Sequence, residues 1–406
     1  VDASGRGAAG PVDAVGQVAA GTSDVVDAVL MQEPDLNEGP RLRITVVRGT
    51  RADTLCLAID HMVCDGAGFK QYLSLLVGLY SATVRGEDLQ RLTAGYPLRR
   101  DFRQVTRNLD VGRKLRLLFS RDVHLDPDST MRLPFENALA AVPPGSEASA
   151  VATTALPQPA TAASATMRSQ PADVPAFSQP RLLHVQVGQS QLARIRAQAK
   201  RARATFNDVL LAAYARELSR VTGCGDIALP CPVDLRRYGA AGQRFGICNL
   251  TANYACHVAI GADDAFSVTL SDVMRQIAAQ KASDGCLKAP MLYHAMSHVM
   301  SFGQLEKSFF KLAGVPVISY SNLGILDANQ LGFAGLNVMD AYLATAVKHP
   351  PSFQLSASTF DGVLTLTSCL CADMHDAQVA KELIDGVAEE LEAFAQSTVL
   401  SARRVS

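Results

Sequence analysis

The sequence predicts an α/β (α+β) chain of two lobes, and three observations carry that prediction. Its 406 residues, 48% of them hydrophobic, exceed what one compact core holds and suggest about two. β-branched runs and amphipathic helical runs occur in both halves, so each lobe is expected to be a mixed sheet with flanking helices. Between the halves, residues 143–180 turn to Ala, Pro, Ser and Thr, a composition with little to bury. The expected division is an N-terminal lobe over 1–142, a linker or long surface loop over 143–180, and a C-terminal lobe over 181–406.

Taken in order, residues 1–22 are rich in Ala, Gly and Val and show no decisive period. PRLRITVVRG (40–49) alternates and is β-branched, which predicts a strand ending at Gly49. RGTRAD makes a hairpin-type turn into a second strand, TLCLAIDH (54–61). From Gly68 a long helix follows, with Phe69, Tyr72, Leu73, Leu76, Leu79 and Tyr80 expected on its apolar face. A basic amphipathic helix is expected near 111–121.

The second lobe opens with a strand over 181–187 and a helix for which Ser190 is the expected N-cap. The next helix is capped by Thr205 or Asn207 and ended by Gly223. Strands are expected over 226–235, 253–260 and 315–324. Residues 353–370 should fold as a hairpin about Asp361-Gly362, and 376–396 as an amphipathic terminal helix.

Composition narrows the function classes. A net charge of -1 creates no overall field for nucleic acid or an anionic membrane, so no nucleic-acid partner is expected. The nine cysteines are irregularly spaced and contain no Cys-x-x-Cys, which reads as buried free thiols in a reducing cytoplasm. No apolar run of about 18 residues is present for a transmembrane segment. The start lacks the basic-then-apolar order of a signal peptide, and the expected localisation is cytoplasmic. No phosphate-binding loop and no nucleotide-type β-α-β run point to a cofactor.

One short stretch carries chemistry. AIDHMVCDGAGF (58–69) sets His61 and Asp65 four positions apart between a strand and a helix. An imidazole titrates near neutrality, so His61 at a strand end is suited to take a proton and return it. Asp65 is placed to orient that ring or to fasten the turn, and Gly66 permits a tight bend and close approach. No Gly-x-Ser-x-Gly context suggests a covalent acyl-enzyme. His294 and His298 have a zinc-compatible spacing but no evident third ligand, so packing is the preferred reading and no metal is expected.

PRLRITVVRGTRADTLCLAIDHMVCDGAGFKQYLSLLVGLY resembles the core of the chloramphenicol acetyltransferase-like superfamily. That group includes nonribosomal peptide condensation domains, plant BAHD acyltransferases, alcohol acetyltransferases and wax ester synthases. Its pattern is His-His-x-x-x-Asp-Gly, in which the second, catalytic histidine matches His61; Asp60 stands at the first. The BAHD branch also lacks that first histidine and remains active. Its Asp-Phe-Gly-Trp-Gly motif is missing here, where there is no tryptophan, which argues against a plant-type enzyme. LPCPVDLRRYG (229–239) resembles the segment whose arginine reaches the motif aspartate, matching Arg236 as a structural brace. SYSNLG (319–324) resembles a Ser-Asn segment beside the active-site tunnel, which makes Ser321 and Asn322 candidate oxyanion or acceptor contacts.

The resemblance implies two chloramphenicol acetyltransferase-like lobes meeting at a tunnel that contains His61. Fewer residues precede the motif than is usual in the superfamily, which implies an N-terminal lobe short of its first strand and helix. The implied activity is an acyltransferase for groups other than amino-acyl groups. It would move an acyl group from a thioester to a small-molecule alcohol or amine, with His61 as general base and Asp65 and Gly66 completing the motif. Acyl-CoA or an acyl carrier protein would be the co-substrate, with no resident cofactor. The alternative is a catalytically inactive condensation-like module that binds a carrier protein or partner enzyme; Asp60 and the short N-terminus favour it.

Overall fold

A computed structural model describes residues 22–30, 32, 40–119, 131–136, 179–301, 303–305 and 317–397. The first lobe is organised around a strand pair whose alternating side chains give it two unlike faces. β1 (Leu42–Val47) and β2 (Thr54–Ile59) pair antiparallel, from Leu42 opposite Ile59 to Val47 opposite Thr54. Helix α1 (Thr22–Leu30), which the sequence pattern did not signal, lays Val26 against Val47 and Cys56 on one face. β2 stops two residues before His61. The chain then turns, with the Val63 amide donating to the Asp60 carbonyl at 2.8 Å, and enters helix α2 (Gly66–Arg85).

The buried stripe of α2 is Leu73, Val77 and Ser81, one turn apart each, rather than the broader face expected from the sequence. Of the expected face, Leu73 is buried and Phe69 packs beside it, while Tyr80 is exposed. The second lobe selects the stripe: Leu73 and Val77 pack with Leu326, Leu331, Leu343 and Phe360. Ser81 survives burial because its hydroxyl accepts from the Ala334 amide at 3.0 Å. Short helices α3 (Gln90–Thr93) and α4 (Arg103–Thr106) lead to α5 (Val111–Phe119), the basic helix expected there.

The expected linker lies outside the described residues up to position 178; Gln179 and Pro180 already belong to strand β3 (Gln179–Val187). Helix α6 (Gln189–Arg201) starts from Gly188, not Ser190. Gly188 has the extended backbone of a cap, and its carbonyl receives the Leu192 amide at 2.9 Å, so Ser190 falls inside the first turn. Helix α7 (Phe206–Thr222) resolves its own ambiguity. Thr205 is the cap and forms a reciprocal box with Asp208, and Gly223 ends the helix with φ +69°. Val209 to Ala215 and Leu218 are fully buried, as befits a helix apolar nearly all round.

Strands β4 (Asp226–Asp234) and β5 (Thr251–Ala259) pair antiparallel, and helices α8 (Phe266–Ser283) and α9 (Lys288–Met296) follow. β6 (Ile318–Leu326), β7 (Phe353–Phe360) and β8 (Val363–Ala372) join β3 in a four-stranded sheet ordered β3-β8-β7-β6. Its β6–β7 pair is parallel and the others antiparallel, so the sheet is mixed. Asp361 and Gly362 turn the β7–β8 hairpin with φ +42° and +76°, the left-handed pair that a two-residue hairpin needs. Helix α10 (Met374–Gln396) closes the lobe and packs with α8 around α7. β4 lies beside β6, which brings the turn after β4 within reach of the first turn of α2.

Candidate functional site

Asp65 ties the start of α2 to the chain between β4 and β5. Its Oδ1 accepts the Gly68 amide at 2.7 Å and caps α2. Its Oδ2 accepts the Leu250 amide at 2.7 Å and the Thr251 hydroxyl at 3.1 Å. Arg236 Nη1 donates to both oxygens, at 3.0 and 2.8 Å. Only 3% of the Asp65 side chain is exposed. Burial pushes its carboxyl up, but the Arg236 bond and charge and the Gly68 and Leu250 amides outweigh this. The net effect holds it below the usual carboxylate range. A carboxylate so saturated is ionised at neutral pH and has no free lone pair aimed at a substrate.

The arginine is placed by its own local structure. A 3-10 turn, Leu235–Tyr238, follows β4 directly, and Asp234 caps it by accepting the Arg236 amide at 2.9 Å. The Leu235 amide binds the Leu250 carbonyl at 2.8 Å, and Arg236 Nη2 binds the Cys248 carbonyl at 2.8 Å. Burial alone would ease the Arg236 proton off; hydrogen bonding and charge from Asp65, aided by Asp234, outweigh it and hold the proton more firmly. Arg237, the next residue, lies over the Tyr238 ring at 5.6 Å.

The glycines answer to close approach. Gly66 does not adopt a left-handed backbone; a Cβ there would come within 2.9 Å of Leu323 Cδ2 on β6. The only atom crowding that position is the flexible end of the Leu323 side chain. At Gly68 a Cβ would meet the Cys248 carbonyl oxygen and Cys64 Cβ, each at 2.8 Å. Lys70, one turn along α2, donates to the Leu323 carbonyl at 2.8 Å. Burial draws its amine below the ordinary lysine range, against the opposing charges of Asp234 and Asp65.

His61 has different surroundings. It sits exposed in the turn after β2. The carboxamide of Asn249 reaches it: Nδ2 is 3.2 Å from His61 Nδ1 and 3.3 Å from the His61 carbonyl oxygen. Asp60, at the position of the superfamily's first histidine, is bound to Arg41 Nη1 at 2.8 Å and accepts the Met62 amide at 2.9 Å. Arg100 Nη2 holds the Val63 carbonyl at 2.7 Å. Asn249 and Arg100 were not singled out from sequence. Both lie far along the chain from the motif, in stretches with no chemical pattern of their own.

The remaining sequence candidates separate. Asn322 spends both ends of its amide: Nδ2 donates to Asn207 Oδ1 at 3.0 Å, and Oδ1 accepts the Gly324 amide at 3.0 Å across the bulge in β6. One of its two N–H groups is thereby engaged. Ser321 alternates to the other side of the strand, and its hydroxyl has no hydrogen bond among the described residues. The His298 ring is engaged at both nitrogens, by Arg103 Nη2 at 3.2 Å and the His294 carbonyl at 2.8 Å. Cys64, beside the motif, is no nucleophile: burial and the charge of Asp65 push its thiol up to about 11.

No protein-family model matches the sequence, and no curated protein matches it. Solved structures do match in fold. The first condensation domain of the CDA synthetase is 14% identical with a TM-score of 0.53, covering 92% of this chain and 72% of its own. Polyketide synthase associated protein 5 from Mycobacterium tuberculosis is 14% identical with a TM-score of 0.53, covering 90% and 79%. The epimerization domain from the third module of tyrocidine synthetase B is 14% identical with a TM-score of 0.52, covering 92% and 75%. The chain thus shares the two-lobed fold of these condensation and epimerization domains.

Proposed function

We propose that this chain transfers an acyl group from a thioester, carried by coenzyme A or an acyl carrier protein, to an alcohol or amine. His61 would draw the proton from the acceptor as it attacks the thioester carbonyl. The observation that carries the reading is the asymmetry of the motif. Asp65 is consumed by Arg236 and backbone donors, while the imidazole four residues earlier remains open to a substrate. The Gly66 amide at the start of α2 and the Ser321 hydroxyl are the donors we assign to the developing oxyanion. Among the described residues no helix is long and apolar enough to cross a membrane.

A second reading is an inactive module that binds a carrier protein or partner enzyme. Asp60 favours it, because its carboxylate is tied to Arg41 and supplies no chemistry where the superfamily has a histidine. Incubation with acetyl and long-chain thioesters of coenzyme A and of a carrier protein, against a panel of alcohols and amines, separates the two. Ester or amide formation detected by mass supports transfer. No product from any pair, with retained carrier-protein binding, supports the inactive module.

A further inference from the structure

We propose that α5, with the end of α9 packed beside it, is a surface that lies on an anionic lipid membrane. A helix on a protein surface ordinarily buries its apolar stripe and exposes its charges. α5 does the reverse. Val111, Leu115 and Phe119 are spaced by four, hence form one stripe, and are 71%, 50% and 84% exposed. Leu117, which seats the helix, is on the opposite side and buried. Val299, just past α9, is 83% exposed, and its neighbour His298 meets Arg103 of α4 at 3.2 Å. Val111, Phe119 and Val299 are three of the four most exposed large apolar side chains among the described residues. Apolar surface gathered in this way marks a contact site, which singly scattered residues do not.

The charges decide what lies against the stripe. α5 carries Arg113, Lys114 and Arg116 and no acidic residue, and α9 has no acidic residue either. Helical spacing puts Lys114 and Arg116 on the two borders of the stripe, where long stems follow apolar surface and set a cation at phosphate level. Arg113 turns inward, its Nε donating to Asp284 Oδ2 at 3.0 Å. Asp110, the acid just before the helix, is spent on its end and accepts the Arg113 amide at 2.8 Å. A second copy docked face to face would set these cations against their own kind. An acidic lipid surface satisfies cations and stripe together. At nine residues α5 is too short to span a bilayer, so it lies in the plane of the interface. The attraction is local, since the whole chain carries a net charge of -1. α4, just before α5, packs on the 3-10 turn that carries Arg236, so the face adjoins the latch of the motif. An alcohol or amine on an amphiphile in that membrane is therefore the acceptor class it adds, a consequence that rests on the acyl-transfer reading.

Flotation of the full chain is measured with vesicles of phosphatidylcholine alone and with phosphatidylglycerol added. The chain should float with the acidic vesicles, far less with the neutral ones, and bind less as salt rises. Lys114→Gln with Arg116→Gln should weaken binding about thirtyfold, the weight of two basic residues at an acidic surface. Leu115→Ser with Phe119→Ser should weaken it roughly tenfold or more, since the stripe loses its apolar contact. None of these four side chains is buried, so melting temperatures should stay close to wild type. Val268→Ser, at an exposed apolar residue on α8, should bind as wild type does. Absence of flotation with acidic vesicles overturns the proposal, as does binding that survives Leu115→Ser with Phe119→Ser. A dimer in sedimentation, or a complex with an acidic carrier protein, that needs this face while vesicles are not bound would give it to a protein and overturn the membrane. Vesicle binding with no acyl transfer from any thioester keeps the surface and removes the acyl-transfer reading instead.

Discussion

Asp65 and His61 stand four residues apart in one turn, yet share almost nothing of their surroundings. The aspartate is 3% exposed and receives donors from a helix, a 3-10 turn and the approach to β5; the histidine is exposed with one side-chain partner. The difference teaches that a short motif divides its labour. The residue that fastens elements distant in sequence belongs to stability, and the residue left over is the one to which we assign the proposed chemistry. Burial is the variable that assigns the roles, because a buried carboxylate must be satisfied whereas an exposed imidazole need not be.

The largest effect that tests this division is the loss of the latch. Asp65→Ala should cost about 3–5 kcal/mol in denaturant unfolding, because Arg236, buried at 10% exposure, keeps only the half-exposed Asp234 as a charged partner. Arg236→Ala should cost a similar amount, and the double mutant should be no worse than the worse single one. Additive losses would show that the two charges act separately. Next in size come the glycines. Gly68→Ala pushes a methyl against a backbone carbonyl and should cost about 1–3 kcal/mol. Gly66→Ala meets only the flexible end of Leu323 and should cost less, so equal losses in thermal unfolding would contradict the contacts described.

The smallest effect is in pH. The carboxyl of Asp65 is held below its ordinary value, so the stabilisation it supplies is fully present above about pH 3.9, the unfolded value. It is lost as pH falls through the lower, folded value. Melting temperatures followed from about pH 5 to pH 2 should therefore fall more steeply in the wild type than in Asp65→Asn. Parallel curves would mean that the aspartate is not the linked group.

Much of this division was legible in the sequence, and the exceptions have physical causes. The strand–turn–helix about His61 and the Asp361-Gly362 hairpin were readable because period and turn chemistry are local, while the cap of α7 was narrowed only to Thr205 or Asn207. Pairing of Asp65 with Arg236 was reachable only through a resemblance, since 171 residues separate them. The α2 stripe shifted because its partners come from β6 and β7, and helix period alone does not choose among several apolar faces. The bond from Asn322 to Asn207 was not legible because Asn207 lies on another element. Asn249 left no signal at all, because its placement depends on the pairing of Leu250 and Thr251 with Asp65.

The central claim is that His61 serves chemistry while Asp65 serves the fold. The direct measurement is thioester turnover and melting temperature, taken together, on His61→Ala. Turnover should fall by roughly two to four orders of magnitude, the range for a lost general base, while the melting temperature stays close to that of wild type. Unchanged turnover, or a melting temperature that collapses as it should in Asp65→Ala, would contradict the account.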